Sequence, residues 1–277
     1  MNQWIGGSKV DEMKIAKTKP EVAIVRPKFN CEKQARRIAK AISSFFRKSG
    51  REYAVIGVSG GVDSALCAAL CCRALGKKHV IALVLPSKST PAGDLEDARM
   101  IAKKYAGRSF EISISRIISE SESAISAHAQ VSRLEAGNLA ARIRMMLLYN
   151  FARHFSGLVI GTGDASELAI GYFTKYGDGG CDLLPIGSLY KSQARSLAMV
   201  LGVPKHVAEK PASPQLWQGQ SAESELGMGY DEIDAALFLL SRGKKNNARK
   251  LLGRKKLALL LTMKEKSRHK GQMPPVL

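Results

Sequence analysis

This 277-residue chain lacks the marks of a membrane or secreted protein. No run approaches the roughly eighteen apolar residues that a membrane-spanning helix needs. The first residues, MNQWIGGSKVDEMK, lack the apolar core of a signal peptide. The five cysteines are odd in number and show no C-x-x-C spacing, which argues against a disulfide framework and against a zinc site. We therefore expect a cytoplasmic protein whose cysteines are core thiols.

Acidic residues are scarce relative to basic ones. Twenty-four Asp and Glu face forty-three Lys and Arg, so the formal net charge is +19. Such an excess favours polyanionic partners, such as nucleic acid, or phosphorylated small substrates. A solvated basic face is the alternative, because much of the charge lies in the first thirty residues and after Arg242. The charge alone does not choose between these interpretations.

The composition predicts one globular domain. Apolar residues make up 45% of the chain, and its length is enough to bury a sizeable core. Residues 1–28 differ from the rest, with several lysines, two prolines and little periodicity. We expect them to form a basic, loosely ordered N-terminal extension, followed by a single domain over residues 29–277.

Short apolar runs alternate with helical patterns along the chain. The runs Tyr53–Ile56, His79–Leu85, Phe110–Ile114 and Leu158–Gly161 have the length and composition of buried strands. Strands that alternate with helices predict an α/β fold, with a parallel sheet covered by helices on both faces. Ligands of such sheets bind beyond the carboxyl ends of the strands.

Two common nucleotide-binding motifs are absent. The chain has no GxxxxGK[ST] loop, and no G-x-G-x-x-G follows the first strand. Residues 58–65, VSGGVDSA, stand there instead. Gly60 and Gly61 allow a ligand to approach the backbone, and the following helix offers unpaired N–H groups, so the segment predicts a phosphate-binding loop. The alternative is a plain strand-to-helix turn capped by Ser59 or Asp63.

A second polar loop, GTGDASE at residues 161–167, follows the fourth predicted strand. It lies on the same rim of the sheet as the first loop. Asp63 and Glu167 are suitable oxygen ligands for Mg²⁺, although Glu167 alone is also typical of a first helical turn. The basic residues that can bind phosphates or carboxylates are Arg142, Arg144, Lys175 and Lys191.

These loops carry a resemblance to a known family. The segment SGGVDS resembles the pyrophosphate-binding loop of the N-type ATP pyrophosphatases. From about Glu32 to Lys270 the chain is similar to the ammonia-dependent NAD⁺ synthetases. The matching segments are GVSGGVDSA, GNLAARIRMMLLYNFA, GTGDASELAIGYFTKYGDGGCDLLPIGSLYKSQ, PASPQLWQGQSAESELGMGYDEID and RHK. The resemblance implies an adenine nucleotide alpha hydrolase-like, Rossmann-like single domain.

The resemblance also implies a reaction. In that family ATP adenylates the nicotinate carboxylate of deamido-NAD⁺ (nicotinic acid adenine dinucleotide), and ammonia then displaces AMP to give NAD⁺. The enzyme is a ligase that forms a C–N bond, releases AMP and pyrophosphate, and completes NAD⁺ biosynthesis. The resemblance further implies Mg²⁺ as cofactor and a homodimer, with no membrane or nucleic-acid partner. A separate glutaminase that supplies ammonia remains open.

The family's functional residues match positions of this chain. Those implied for ATP are Gly57, Val58, Ser59, Gly60, Gly61, Val62, Asp63, Ser64, Thr162, Lys191 and Ser213. Those implied for deamido-NAD⁺ are Arg142, Lys175, Asp182, His269 and Lys270. Asp63 and Glu167 are implied as the Mg²⁺ ligands, and Asp63, Lys191 and Asp182 as catalytic residues.

Some points stay open at this stage. Many family members have an acidic pair in GQTDE, but this chain has QSAE at residues 220–223, so only Glu223 of the pair remains. The base that deprotonates ammonium is either Asp182 or Asp178. A tRNA-thiolating enzyme that shares the pyrophosphate loop is a rival hypothesis, as is a nucleotide-binding regulator without catalysis.

Overall fold

The computed structural model describes residues 29–214, 216–217 and 219–276. The expected N-terminal extension, residues 1–28, lies outside the described residues. The four strands are β1 (Tyr53–Gly57), β2 (Val80–Val84), β3 (Arg108–Glu111) and β4 (Gly157–Ile160). The helices are α1 (Cys31–Ser49), α2 (Val62–Leu75), α3 (Ala92–Tyr105), α4 (Ser115–Ser126), α5 (Arg133–His154), α6 (Ala165–Ile170), α7 (Lys191–Val200), α8 (Lys205–Ala208), α9 (Ala222–Leu226), α10 (Tyr230–Ser241) and α11 (Lys245–Lys266).

The strands form one parallel sheet in the order β3-β2-β1-β4. In this sheet Ile56 of β1 stands opposite Ala82 of β2 and Ile160 of β4. An isolated parallel bridge joins Ile160 to Leu183 beyond the last strand. The predicted α/β fold with a parallel sheet is thus confirmed.

Alternate residues of the central strands pack against different helical layers. Ala54 and Ile56 belong to the larger core, together with α1, α2, α3 and α7. Val55, one residue between them, belongs to a second core with α4 and α5 on the opposite face. All three side chains are fully buried. A strand covered on both faces must be apolar throughout, which explains why β1 and β2 are continuous apolar runs.

Helix α1 shows how local sequence produces these layers. Asn30 is its N-cap, and the Asn30 side chain accepts a hydrogen bond from the backbone N–H of Lys33. Ile38, Ile42 and Phe46 recur every four residues and pack into the larger core. The helix ends at Gly50, whose φ of 65° lies in the left-handed region that glycine tolerates.

A third core lies beside the sheet and is built from α6, α9, α10 and α11. Tyr230, Ile233 and Leu260 are at most 1% exposed within it. Helix α10 contacts α6 and α7, and α11 contacts α6. Helix α11 bends at Gly253 and ends at Lys266. A 3-10 turn, Arg268–Gly271, then carries His269 and Lys270.

The strand order places a crevice at the centre of the sheet. The chain builds β2 and β3 on one side of β1 and then adds β4 on the other side. The loops that follow β1 and β4 therefore diverge at the carboxyl edge, where α/β sheets bind ligands. Within the described residues no helix is both long and apolar enough to cross a bilayer.

The fold requires a glycine at position 60, which follows β1. Its φ is +81°, and a Cβ there would overlap the carbonyl of Asp94 on α3. Gly76 has a similar φ of +85°, but no atom lies within 4 Å of the position that a Cβ would occupy there. Gly76→Ala therefore tests backbone strain alone, whereas Gly60→Ala adds a backbone collision.

We expect Gly76→Ala to lower the free energy of unfolding by about 1–3 kcal/mol, the usual range for a strained backbone. Gly60→Ala should cost more, because the loop or α3 must also move. Urea denaturation measures both changes. Equal stability of the two variants would contradict the close approach.

Candidate active site

The loop after β1 has the geometry of an anion-binding turn. Gly60 takes a left-handed conformation, and Gly61 is the N-cap of α2 but provides no capping side chain. Ser64 Oγ donates to the Gly61 carbonyl at 3.0 Å, and Ser59 N donates to Ser64 Oγ at 3.2 Å. These bonds hold the turn closed while the first N–H groups of α2 face the rim.

A cavity of about 430 Å³ opens beyond the carboxyl edge of the sheet. It is lined by the loops after β1 and β4, by one face of α5, and by residues 171–174, 177–178, 180 and 210–214. The predicted site residues that line it are Gly57, Val58, Ser59, Gly61, Val62, Asp63, Ser64, Arg144, Thr162, Glu167, Asp178, Ser213 and Lys270. The fold therefore brings most of the predicted ATP residues to one cavity.

Four residues implied for deamido-NAD⁺ lie outside the cavity lining. Arg142 is exposed on α5. Asp182 accepts hydrogen bonds from Tyr149 Oη at 3.1 Å and from the Val159 backbone N–H at 2.7 Å. Lys175 Nζ donates to the His269 carbonyl at 3.0 Å. The four side chains are therefore not part of the cavity lining.

Lys270 is the member of that group that reaches the cavity. Its Nζ donates to the carbonyls of Gly171 and Phe173, both at 2.8 Å. These bonds attach the 3-10 turn after α11 to the segment that follows α6. Burial lowers the pKa of the Lys270 ammonium. The turn therefore brings one cationic donor to the mouth of the cavity.

Lys191 lies at the centre of the site and is fully buried. Its Nζ contacts Asp63 Oδ2 and Glu167 Oε1 at 2.7 Å each, and Asp164 Oδ2 at 3.0 Å. The Tyr230 ring covers the same ammonium at 5.1 Å. The three carboxylates and Lys191 are called the Lys191 cluster below. It joins the loop after β1, the start of α6 and the start of α7.

Local sequence explains the carboxylates that follow β4. Asp164 is the N-cap of α6, and its Oδ1 accepts from the Glu167 backbone N–H at 2.9 Å. Glu167 Oε2 accepts in return from the Asp164 N–H at 3.2 Å. This reciprocal capping box fixes both side chains at the first turn of a short helix. One Glu167 oxygen caps the helix, and the other contacts Lys191.

The Lys191 cluster has more negative than positive charge. Burial raises the pKa of Glu167 to about 8, with Lys191 opposing the shift and the carboxylates of Asp164 and Asp63 adding to it. Burial likewise raises the pKa of Asp164 to about 6. The carboxylates hold the pKa of Lys191 well above its usual value. The site therefore has room for additional positive charge.

One oxygen is suited to a further cation. Asp63 Oδ1 is buried and has no hydrogen-bond partner. Among the described residues, no three His, Cys, Asp or Glu side chains are arranged to hold a metal by themselves. Mg²⁺ is usually bound by one or two carboxylates together with substrate phosphates, rather than by an all-protein cage. The residues present fit a Mg²⁺ ion that shares its ligands with a nucleotide.

Several residues of the site were not predicted from the sequence. Asp164 could have been found, because D-x-x-E is a helix-start pattern. Lys210 and Tyr230 carry no local pattern that marks them. Lys210 Nζ donates to Asp94 Oδ1 at 2.6 Å and to Asp97 Oδ2 at 2.5 Å, and it contacts the Gly60 carbonyl at 3.3 Å. It thus joins α3 to the loop after β1.

The segment that departs from the family pattern also borders the cavity. Ala222, in place of an acidic residue, is 1% exposed and lines it. Glu225, one turn further along α9, accepts from Tyr172 Oη at 2.6 Å and from Gln220 Nε2 at 2.9 Å. Tyr172 and Phe173 both line the cavity. A carboxylate is therefore present in this wall, although not at position 222.

The sheet, the glycine loop and the acidic cluster define an α/β nucleotide-binding protein. The sequence profile of the NAD synthase family matches residues 34–274. The NH₃-dependent NAD⁺ synthetase of Archaeoglobus fulgidus is 43% identical over 248 residues, which cover 89% of this chain and 97% of that protein. The chain belongs to the NAD synthase family.

Solved structures agree with this assignment. The NMN synthetase of Francisella tularensis is 34% identical and superposes with a TM-score of 0.81, over 90% of this chain and 99% of that chain. The NH₃-dependent NAD synthetase of Campylobacter jejuni, solved with a nitrate ion, is also 34% identical, with a TM-score of 0.77 over the same shares of the two chains. The expected fold family is thus confirmed.

Replacing Glu167 with Gln should change how stability depends on pH. The pKa of Glu167 is about 8 in the folded protein, against 4.5 as its ordinary value. Between these values the folded state holds a proton that the unfolded state has released, so the free energy of unfolding falls as pH rises and levels off above about pH 8. The Glu167→Gln side chain does not titrate.

The variant should therefore gain stability relative to the wild type as pH rises across that window. Urea denaturation of EDTA-treated protein at several pH values measures the difference. Glu120→Gln is the control, because the Glu120 side chain is 74% exposed and should give no such gain. A stability difference that is flat or falls with pH would show that Glu167 is ionised throughout.

Proposed function

We propose that this chain is an ammonia-dependent NAD⁺ synthetase, a ligase that forms a C–N bond. It uses ATP to adenylate the nicotinate carboxylate of deamido-NAD⁺, and ammonia then displaces AMP. The observation that carries the proposal is the Lys191 cluster directly beneath the glycine loop, in a chain that belongs to the NAD synthase family. AMP and pyrophosphate are the other products, and the reaction completes NAD⁺ synthesis.

The proposed chemistry needs positioning more than a protein nucleophile. The substrate carboxylate attacks the α-phosphorus of ATP, and the pyrophosphate leaves with additional negative charge. The first N–H groups of α2, which have no side-chain cap, would face the place where that charge develops. Lys191 supplies a buried cation at the same point. Thr162 and Ser213, which line the cavity, would hold the rest of ATP.

Mg²⁺ is the proposed cofactor, held by Asp63 and Glu167. The unpartnered Asp63 Oδ1 and the surplus of carboxylates over cations support this assignment. When bound, the ion would neutralise charge on the phosphates. Asp63 and Glu167 already contact Lys191, so this chain's own contribution is to keep two carboxylates and one ammonium within a single hydrogen-bonded group.

Arg142, Lys175, Asp182, His269 and Lys270 are proposed to bind deamido-NAD⁺. The substrate is long, so contacts outside the cavity lining are consistent with a dinucleotide whose nicotinate end enters the cavity. A homodimer, in which a second subunit completes this surface, is proposed from the family resemblance. A monomeric mass in sedimentation equilibrium at micromolar concentration would contradict it.

Asp178 is the better-placed candidate for the base that deprotonates ammonium. It lines the cavity, whereas Asp182 does not. Asp178 Oδ1 accepts from the Thr174 backbone N–H at 2.8 Å, which orients the carboxylate. We propose that the reaction takes place in the cytoplasm, without nucleic acid or membrane. A separate glutaminase that delivers ammonia remains compatible with this site.

The proposal is tested with purified full-length chain, deamido-NAD⁺, ATP, Mg²⁺ and ammonium chloride. We expect NAD⁺, AMP and pyrophosphate in equal amounts, measured by ion-exchange chromatography. The rate at fixed total ammonium should rise with pH as free ammonia increases. Glutamine should not replace ammonium once contaminating ammonium has been removed. The absence of NAD⁺, or ADP in place of AMP, would contradict the proposed reaction.

A second acid substrate belongs in the same assay, because one structural neighbour carries the name NMN synthetase. Nicotinic acid mononucleotide is compared with deamido-NAD⁺ at equal concentration. Higher kcat/KM with the dinucleotide supports the proposal as stated. Higher kcat/KM with the mononucleotide would assign this chain the activity named for that neighbour.

Asp63→Asn should lower turnover much more than stability. The substitution removes a charge that faces the leaving pyrophosphate, and loss of one such transition-state contact typically costs about a hundredfold or more in rate. The measurement is kcat at saturating Mg²⁺, together with a thermal melt. Glu96→Gln, an exposed carboxylate on neighbouring α3, should leave kcat unchanged. Near-normal kcat for Asp63→Asn would contradict the proposed role.

A further inference from the structure

Asp234 is a buried carboxylate that lies behind the Lys191 cluster. It is 5% exposed on α10 and is not among the residues that line the cavity. Asp234 Oδ1 accepts from Ser166 Oγ at 2.5 Å, and Oδ2 accepts from the Ser192 backbone N–H at 2.8 Å. A buried carboxylate is costly unless it is well hydrogen-bonded, and here both oxygens have a donor.

Both donors are sequence neighbours of cluster residues. Ser166 directly precedes Glu167, and Ser192 directly follows Lys191. Ser166 Oγ also accepts from the Lys191 backbone N–H at 3.3 Å. One carboxylate and one hydroxyl therefore connect the first turn of α6 to the first turn of α7. These are the two turns that carry Glu167 and Lys191.

Helix α7 depends on this connection because its own N-cap cannot supply it. The N-cap residue is Tyr190, which makes no side-chain capping hydrogen bond. The first N–H groups of a helix need acceptors from elsewhere, and negative charge near them is favourable. Asp234 supplies both the acceptor and the negative charge. It lies on α10, 42 residues beyond Ser192 in the chain.

The same face of α10 also contacts the Lys191 side chain. Tyr230 lies four residues before Asp234, and such residues share one face of a helix. The Tyr230 ring lies 5.1 Å from Lys191 Nζ. Helix α10 thus supports Lys191 at two levels, with Asp234 on the backbone side and Tyr230 over the ammonium.

We propose that Asp234 is a positioning residue for the reaction. It holds α6 and α7 at the separation at which Lys191 Nζ contacts Asp63 and Glu167, and it acts through Ser166 and Ser192 without touching substrate. This inference rests on the proposed function, because turnover is the quantity that positioning affects. A purely structural cap would stabilise α7 without altering the catalytic rate.

The test compares Asp234→Ala, Asp234→Asn and Ser166→Ala with the control Asp231→Ala on the same helix. A small displacement of catalytic groups costs roughly tenfold to a hundredfold in rate, so we expect that loss in kcat for Asp234→Ala. The KM for deamido-NAD⁺ should stay unchanged, because the lost interaction acts in the transition state. Asp231→Ala should keep the wild-type kcat.

The conservative variant distinguishes positioning from electrostatics. The amide of Asp234→Asn can still accept from the Ser192 N–H and contact Ser166, so it should restore most of the kcat lost in Asp234→Ala. All rates are measured at a temperature at which circular dichroism shows each variant fully folded. Wild-type kcat in folded Asp234→Ala would overturn the inference.

Ser166→Ala decides the question if Asp234→Ala does not fold, because it removes only one hydroxyl. A tenfold or larger loss of kcat supports positioning, and a wild-type kcat overturns it. Activity of the wild type is established first. An inactive wild type overturns the proposed function and this inference together, whereas an active wild type with unaffected variants overturns the inference alone.

Discussion

The ammonium of Lys191, buried among three carboxylates, is the interaction on which the site depends. A buried ion is costly unless it is paired, and breaking a buried pair is strongly destabilising. Lys191 is 128 residues from Asp63 and 24 from Glu167 in sequence, yet Nζ lies 2.7 Å from each carboxylate. The pairing therefore holds the glycine loop, α6 and α7 together, and two of the paired carboxylates, Asp63 and Glu167, line the cavity.

The same pairing leaves the site with surplus negative charge. One ammonium faces three carboxylates. Burial, with the neighbouring carboxylates adding to its effect, raises the pKa of Glu167 and of Asp164. A protein optimised for stability alone would balance these charges. Functional sites often give up stability in this way, because a ligand that carries positive charge balances the excess of carboxylates when it binds. Here the arrangement is suited to a nucleotide that brings a cation with it.

The third core supports the site from outside the sheet. Helices α10 and α11 contribute nothing to the strand layers, but α10 packs on α6 and α7, and α11 packs on α6. Tyr230 covers Lys191, and the turn after α11 places Lys270 at the cavity. Helices α10 and α11 thus serve the site more than the sheet.

The sequence by itself determined the alternating strands and helices, the parallel sheet, the two rim loops and the family, because periodicity and loop motifs are local properties of a chain. Even the pair Asp63 and Glu167 could be predicted, since both follow strands. The serine-rich helix α4 was not predicted, because serine has only moderate helix propensity.

Only the tertiary structure decided that Lys191 touches both carboxylates. It also decided that Arg142, Lys175, Asp182 and His269 stay outside the cavity lining, and that Lys210, Tyr230 and Asp234 support the site. Their contacts join segments up to 150 residues apart, and a local sequence pattern cannot predict contacts between segments so far apart in the chain.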